Sequence, residues 1–316
     1  MTIYKLTPTF QNRIWGGRKL ETDFGYVLPD GPVGECWGIS AHPNGQSLIE
    51  NGPFKGRTLA SLWKNHREEV FGQYDLDEFP LLVKVLDAKD DLSVQVHPND
   101  QQALALEGEP YGKTECWYIL DAEPGAELII GHSALTAEEF RARVEAGEWD
   151  QLLQRHSVQT GDFVFVESGT IHAIGAGILI LEIQQSSDIT YRVYDFDRKD
   201  TNGKKRELHI DKAIKVSAIP YKEPDVKPIL LKAEHGRVTQ LIDRKEFTVI
   251  HHQANTGYTL PDSEEFLLLT VINGSGKLAD KAGGMAVSKG DHLLVPRKSG
   301  TITVDGDITF ITACQK

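Results

Sequence analysis

Two stretches of this chain repeat one another, and the repeat constrains the fold more than any other feature. Gly161-Asp-Phe-Val-Phe-Val-Glu-Ser-Gly-Thr-Ile-His172 resembles Gly290-Asp-His-Leu-Leu-Val-Pro-Arg-Lys-Ser-Gly-Thr-Ile-Thr303, with Thr303 standing where His172 stands. Upstream of each, Trp117–Leu128 and Leu268–Leu278 read as strand, Gly-containing turn, strand. A supersecondary unit used twice predicts two β-barrels built alike. Lys222–Lys232, with Pro224 and Pro228, is the expected boundary, dividing the chain into 1–225 and 226–316.

The surrounding sequence agrees with a mainly β fold. Leu81–Leu86, Ser93–His97, Cys116–Leu120, Glu127–Ile130, Asp162–Val166 and Ile178–Gln184 are short apolar or alternating runs punctuated by Gly, Pro, Asn and Asp. Such runs indicate an antiparallel sandwich or barrel. No βαβ rhythm or Gly-rich phosphate loop is present. Helices are predicted over Arg57–Phe71, over Thr136–Leu153 behind a Thr136-x-x-Glu139 capping pattern, and near Asp100–Glu107.

One constellation carries chemistry. Alternation in Ser93-Val-Gln95-Val-His97 puts Gln95 and His97 on one strand face. Glu115 begins another strand. His172 closes Gly161-x5-Glu167-x-Gly169-x2-His172, which matches the second cupin motif except for Glu167 in place of proline. Its glycines turn the chain so that the imidazole enters a barrel mouth. The expected fold is therefore a pair of tandem cupin-like jelly-roll barrels with a few helical insertions. The first barrel binds metal, and the second lacks the ligands. Two imidazoles, a carboxylate and an amide oxygen suit zinc, and also iron, manganese or nickel. A lone histidine reads as a core residue; a same-face Gln/His pair, a glutamate and a motif-placed histidine together do not. His209 and the His251-His252 pair read as surface or core.

Composition narrows the partners. A net charge of −12 over 316 residues provides no positive field for nucleic acid. Arg198-Lys199 and Lys204-Lys205-Arg206, around a turn at Asn202-Gly203, read as a solvated loop. No apolar run approaches the ~20 residues of a membrane helix. Three cysteines without CxxC spacing, and an N-terminus unlike a signal peptide, point to the cytoplasm. Oligomeric state is left open, a monomer included.

The chain also resembles the type I mannose-6-phosphate isomerases in their short bacterial form. The resemblance rests on Asn12–Gly17, Gly34–Pro43, Leu81–Leu86, Leu92–Asp100 (LSVQVHPND), Gly112-Lys-Thr-Glu115, Gly169-Thr-Ile-His-Ala173, Glu182–Arg192 (EIQQSSDITYR) and Arg206–Asp211. It implies one zinc per chain held by Gln95, His97, Glu115 and His172, with Arg192 as the catalytic arginine. Lys113 and Asp188 match positions of substrate handling or proton transfer, and Ser93 matches a polar residue lining the pocket. Gly112, Ile174 and Glu167 depart from the family pattern, and the helical insertion of the long enzymes is missing.

The implied reaction interconverts mannose 6-phosphate and fructose 6-phosphate by moving a proton between C1 and C2 through an enediol. Arg192 supplies a fixed cation for the phosphate or the developing oxyanion. Asp188, Thr190 and Arg192 share a face if their strand alternates, so Asp188 is expected to orient the arginine or relay a proton. Lys113, beside a metal ligand, is expected to have a lowered pKa. Trp15, Trp37 and Trp117 read as sugar-pocket walls or core. Two alternatives stand beside the isomerase: a cupin Fe(II) dioxygenase, disfavoured by Gln95 and the Arg192 segment, and a non-catalytic sugar-phosphate sensor.

Overall fold

A computed structural model describes residues 3–199, 203–281 and 283–315. Leu81–Ala88 and Ile178–Gln185, the two most continuous apolar runs, form neighbouring central strands buried on both faces. They sit in a six-stranded antiparallel sheet ordered Phe163–Val166, Glu115–Ala122, Ile178–Gln185, Leu81–Ala88, Thr9–Gly17, Val33–Ile39. A five-stranded sheet faces it, ordered Tyr191–Tyr194, Val94–Val96, His172–Ile174, Glu127–His132, Leu153–Ser157. Leu86, Ile119 and Ile180 from the first sheet meet Leu128, Ile130 and Ile174 from the second in one interior cluster. Each such side chain contributes about 1.5–3 kcal/mol by leaving water.

Strands 229–314 make a third, larger sheet, completed by N-terminal residues. Tyr4–Thr7 pairs with His292–Val295 on one side and with Leu48–Ile49 on the other. Hydrogen bonding thus ties the chain's beginning to its last third. A shared core of Leu6, Cys36, Val83, Leu181, Phe247 and Leu268, among others, lies between the two parts.

The internal repeat is visible atom by atom. Gly161 and Gly290 have φ of 96° and 92°, and Gly169 and Gly300 of 89° and 80°, conformations that side chains avoid. Gly161 N donates to Ile119 O and Gly290 N to Val271 O, both at 2.9 Å. Asp162 and Asp291 each cap the residue three before it through a carboxylate. The upstream match is looser than expected: Leu267–Asp280 runs as one strand through Leu268–Leu278. A bulge at Ile272, between Val271 and Asn273, stands there instead of a turn. Thr303 is exposed, its hydroxyl near Ala279 O.

The helices are shorter than their patterns. Arg57–Phe71 divides at His66 into Leu59–Asn65 and Arg67–Val70. Thr136 caps Ala137–Ala146, which ends at Gly147 in the left-handed region, and Trp149–Leu152 follows separately. Asp100–Glu107 forms as expected behind an Asn99/Gln102 capping box. Among the described residues no helix is long and apolar enough to cross a membrane.

His252 and His292 are buried in the C-terminal sheet as core residues. His252 bonds Tyr258 and Thr312; His292 bonds Tyr26 and Thr270. Burial, then neighbouring charge from His251 and Lys5 respectively, pushes each imidazole down to about 3 from 6.5. The unfolded chain takes up these protons first. Stability from the neutral rings is therefore present above pH 6.5 and lost as pH falls towards 3. Thermal melts should show Tm falling steadily from about pH 6.5 to about pH 4, with a shallower slope in a His252→Asn/His292→Asn variant. Equal slopes would remove these rings from the acid response.

Candidate metal centre

Two sheets contribute to one site at the barrel mouth. Gln95 and His172 are direct cross-strand partners in the five-stranded sheet. His97 follows its strand by one residue, and Glu115 opens a strand of the opposite sheet. Ligand atoms of His97, Glu115 and His172, all buried, lie within 4.8 Å of one another. His172 Nε2 is 3.3 Å from Glu115 Oε1, and His97 Nε2 is 3.8 Å from Glu115 Oε2. Gln95 Nε2 stands 3.4 Å from His172 Nε2. Rotating the amide by half a turn places the Gln95 oxygen there instead.

Hydrogen bonding turns these groups inward. His97 Nδ1 is 2.7 Å from Ile189 O and His172 Nδ1 2.9 Å from Thr170 O. Donation to a carbonyl puts the proton on Nδ1 and leaves the Nε2 lone pair facing the centre, as in metal-binding histidines. Burial pushes His172 down to about 4 and His97 well below the ordinary range, so both rings stay neutral. Both oxygens of Glu115 are buried; Oε1 has no hydrogen-bond donor, and Oε2 meets only the Lys113 ammonium. Orphaned buried acceptors are costly unless a cation meets them. The nearest one is Lys113, whose Nζ lies 2.8 Å from Glu115 Oε2 and 3.3 Å from His97 Nε2. A divalent ion fits this donor set.

Lys113 differs from its expected behaviour. Burial pulls its pKa down, but Glu115 and Glu182 outweigh burial and the net direction is up. A buried ammonium among carboxylates keeps its proton.

The centre opens into a cavity of about 380 Å³. Ser93, Asp188, Thr190 and Arg192 all line it, although residues 187–190 do not form the alternating strand on which the expected shared face rested. Arg192 is paired across the sheet with Gln95. Its Nε reaches Ser93 Oγ at 3.3 Å and its Nη1 reaches Glu207 O at 2.9 Å. Burial, then Arg206, lowers its pKa. Asp188 does not bond Arg192; its carboxylate is exposed and takes Asn44 Nδ2 at 3.4 Å. The segment 187–190 leaves the strand before Tyr191, which separates the two side chains. Trp15 and Trp117 line the cavity, whereas Trp37 is fully buried, with Lys84 Nζ over its ring.

Several cavity residues carried no role in the sequence reading. Lys84, 3% exposed, sits 3.4 Å from Glu182 Oε2 and 3.9 Å from Glu35 Oε2. Glu35 takes Arg13 Nε at 2.7 Å and Trp37 Nε1 at 2.6 Å, and Trp117 Nε1 donates to Glu182 at 3.1 Å. The signal was available: a charge inside Leu-Leu-Val-Lys-Val-Leu or Ile-Leu-Ile-Leu-Glu-Ile is expensive unless a site uses it. The basic segment is corrected in part: Lys199, Lys204 and Lys205 are exposed as expected, but its arginines are not free in solvent. Arg206 lines the cavity and, with Arg198, binds the buried Asp195. Asn202, half of the expected turn, lies outside the described residues.

With this geometry established, likeness to known proteins is decisive. Residues 3–139 match the family model for the catalytic domain of type I phosphomannose isomerase, and 237–315 match the cupin domain of mannose-6-phosphate isomerase. A mannose-6-phosphate isomerase of Bacillus subtilis is 48% identical over 95% of this chain and 94% of its own length. The chain belongs to the type I mannose-6-phosphate isomerases. A family member from Streptococcus mutans is 47% identical over 98% of this chain and 96% of its own. The crystal structure of a Bacillus subtilis mannose 6-phosphate isomerase matches with a TM-score of 0.96 at 42% identity, covering 99% of both chains. A Salmonella typhimurium phosphomannose isomerase at 17% identity, TM-score 0.80, shares the fold.

Proposed function

We propose that this chain interconverts mannose 6-phosphate and fructose 6-phosphate with one zinc held by Gln95, His97, Glu115 and His172. Full-length relatives support the reaction, and it is preferred over the iron dioxygenase and the non-catalytic sensor on that ground. The observation that carries the site is the buried Glu115 carboxylate between two inward-facing neutral imidazoles, its Oε1 without a hydrogen-bond donor. An N/O donor set of this kind suits zinc. Bound there, the ion would polarise or orient the substrate's oxygens.

The chain's own residues supply the rest. Arg192, with no carboxylate partner among the described residues, stabilises negative charge as it grows on the carbonyl oxygen. Proton movement falls to Lys113, Asp188 and Glu182. Lys113 remains an ammonium and donates. Asp188 is the exposed carboxylate at the mouth. Glu182 has an oxygen without a hydrogen bond and a pKa raised by burial, then by Glu115 against the pull of Lys113. A carboxyl raised in this way is better matched to proton transfer near neutrality. Ser93 steadies Arg192 and Gln95 together. We assign 1–225 the chemistry and 226–316 a supporting role. A cytoplasmic setting is supported by three free thiols.

Purified protein should convert mannose 6-phosphate to fructose 6-phosphate in a coupled assay, lose activity to a chelator and regain it with zinc. Zinc-replete protein without turnover would refute the reading. Recovery with iron or manganese but not zinc would overturn the metal assignment alone.

A further inference from the structure

At one side of the cavity a single carboxylate serves two arginines. Buried Asp195 receives Arg206 Nε on Oδ2 at 2.8 Å, and Nη2 of both Arg206 and Arg198 on Oδ1. Arg192, three residues earlier, has no carboxylate partner among the described residues. Three guanidiniums thus share one anion. Elsewhere in the cavity the cations are matched: Arg13 on Glu35, Lys84 between Glu35 and Glu182, Lys113 on Glu115. The uncompensated positive charge is therefore concentrated in one place, as an anion-binding wall requires.

The three arginines are not equivalent. Arg198 is absent from the cavity wall; it donates to Asp91 O and lies over the Phe196 ring. Arg192 is two contacts from a proposed metal donor, through Ser93 Oγ to the Gln95 amide, each 3.3 Å. That places it with the reacting carbons. Arg206 lines the same cavity, and the Glu207 carbonyl next to it accepts from Arg192. Asp195 occupies two of its nitrogens and fixes the guanidinium plane, while Nη1 has no partner among the described residues. A fork held in this way is suited to a phosphoryl oxygen.

We propose that Arg206, presented by Asp195, binds the phosphoryl group and is the residue by which the enzyme distinguishes a hexose phosphate from the free hexose. Arg192 is thereby left to the reacting end of the substrate. The inference rests on the isomerase reading for the identity of the sugar, but not for the anion site.

The test is calorimetric titration of the zinc-loaded full chain with a non-isomerisable hexitol 6-phosphate and with the unphosphorylated hexitol. Arg206→Ala should weaken the hexitol phosphate at least ~10-fold, the scale of one charge-assisted contact, and leave the hexitol within about twofold. Arg198→Ala removes the same charge from the same carboxylate and should cost less than about threefold. Hexitol-phosphate affinity unchanged in Arg206→Ala, or lost equally in Arg198→Ala, would overturn the assignment. If Arg206→Ala does not fold, Arg206→Lys decides. It keeps the charge and loses the fork, so it should still weaken the phosphate selectively, and unchanged selectivity would count against the proposal. Wild-type protein that discriminates the two hexitols through Arg206 yet fails to turn over mannose 6-phosphate would refute the activity and uphold the anion site.

Discussion

Arg192→Ala is expected to lower kcat for mannose 6-phosphate by roughly 10²–10³-fold, the cost of removing a donor aimed at developing negative charge in a water-poor site. Three features of Arg192 lead to this magnitude. It faces the cavity half-buried, so its charge is only partly screened. It has no carboxylate of its own, so its charge is available to the substrate. Ser93 and the Glu207 carbonyl fix its direction before substrate arrives, so little reorganisation remains. Arg192→Lys keeps the charge and loses the fork, and should recover only part of the rate. Because Ser93 also touches Gln95, zinc content must be measured in the same samples. A zinc-replete Arg192→Ala protein within about threefold of wild type would remove Arg192 from the chemistry.

Sequence patterns point to the proposed metal donors because each pattern is local. Two-residue alternation brings Gln95 towards His172, and two left-handed glycines aim His172. The repeated hairpin was legible for the same reason, its glycine φ values being a local property. Arg13, Glu35, Lys84 and Glu182 were harder to place. They come from four segments whose strand order no local pattern encodes, and only lateral pairing sets them side by side. Arg206 was misread because a run of lysines and arginines around Asn-Gly has the composition of a solvated turn. Its partner Asp195 is eleven residues away and buried, a contact that composition does not reveal. The raised pKa of Lys113 is not legible from its neighbours in sequence, because Glu182 and Asp188, far along the chain, add to the pull of Glu115.

Glu115→Gln should abolish stoichiometric zinc and reduce activity at limiting zinc by more than the roughly 100-fold that loss of an outer partner costs a metal site. The amide preserves shape and removes the one negative charge among the donors, so the effect reports charge and not packing. Retention of zinc through dialysis at wild-type turnover would exclude Glu115 as a ligand. The same substitution tests the metal-free chain. Lys113, 6% exposed, loses its nearest anion, and an uncompensated buried charge costs about 3–5 kcal/mol. The pH dependence follows from the direction of the lysine's shift. Its folded pKa is raised above 10.5, so the stability it contributes is fully present below that value and lost as pH rises above it. Without Glu115 the variant's lysine releases its proton at lower pH than the wild type's, so the Tm deficit of metal-free Glu115→Gln against metal-free wild type should be largest near neutrality and narrow as pH rises through the variant's lysine pKa. A deficit that stays constant into alkaline solution would mean that the buried Lys113 charge does not carry it.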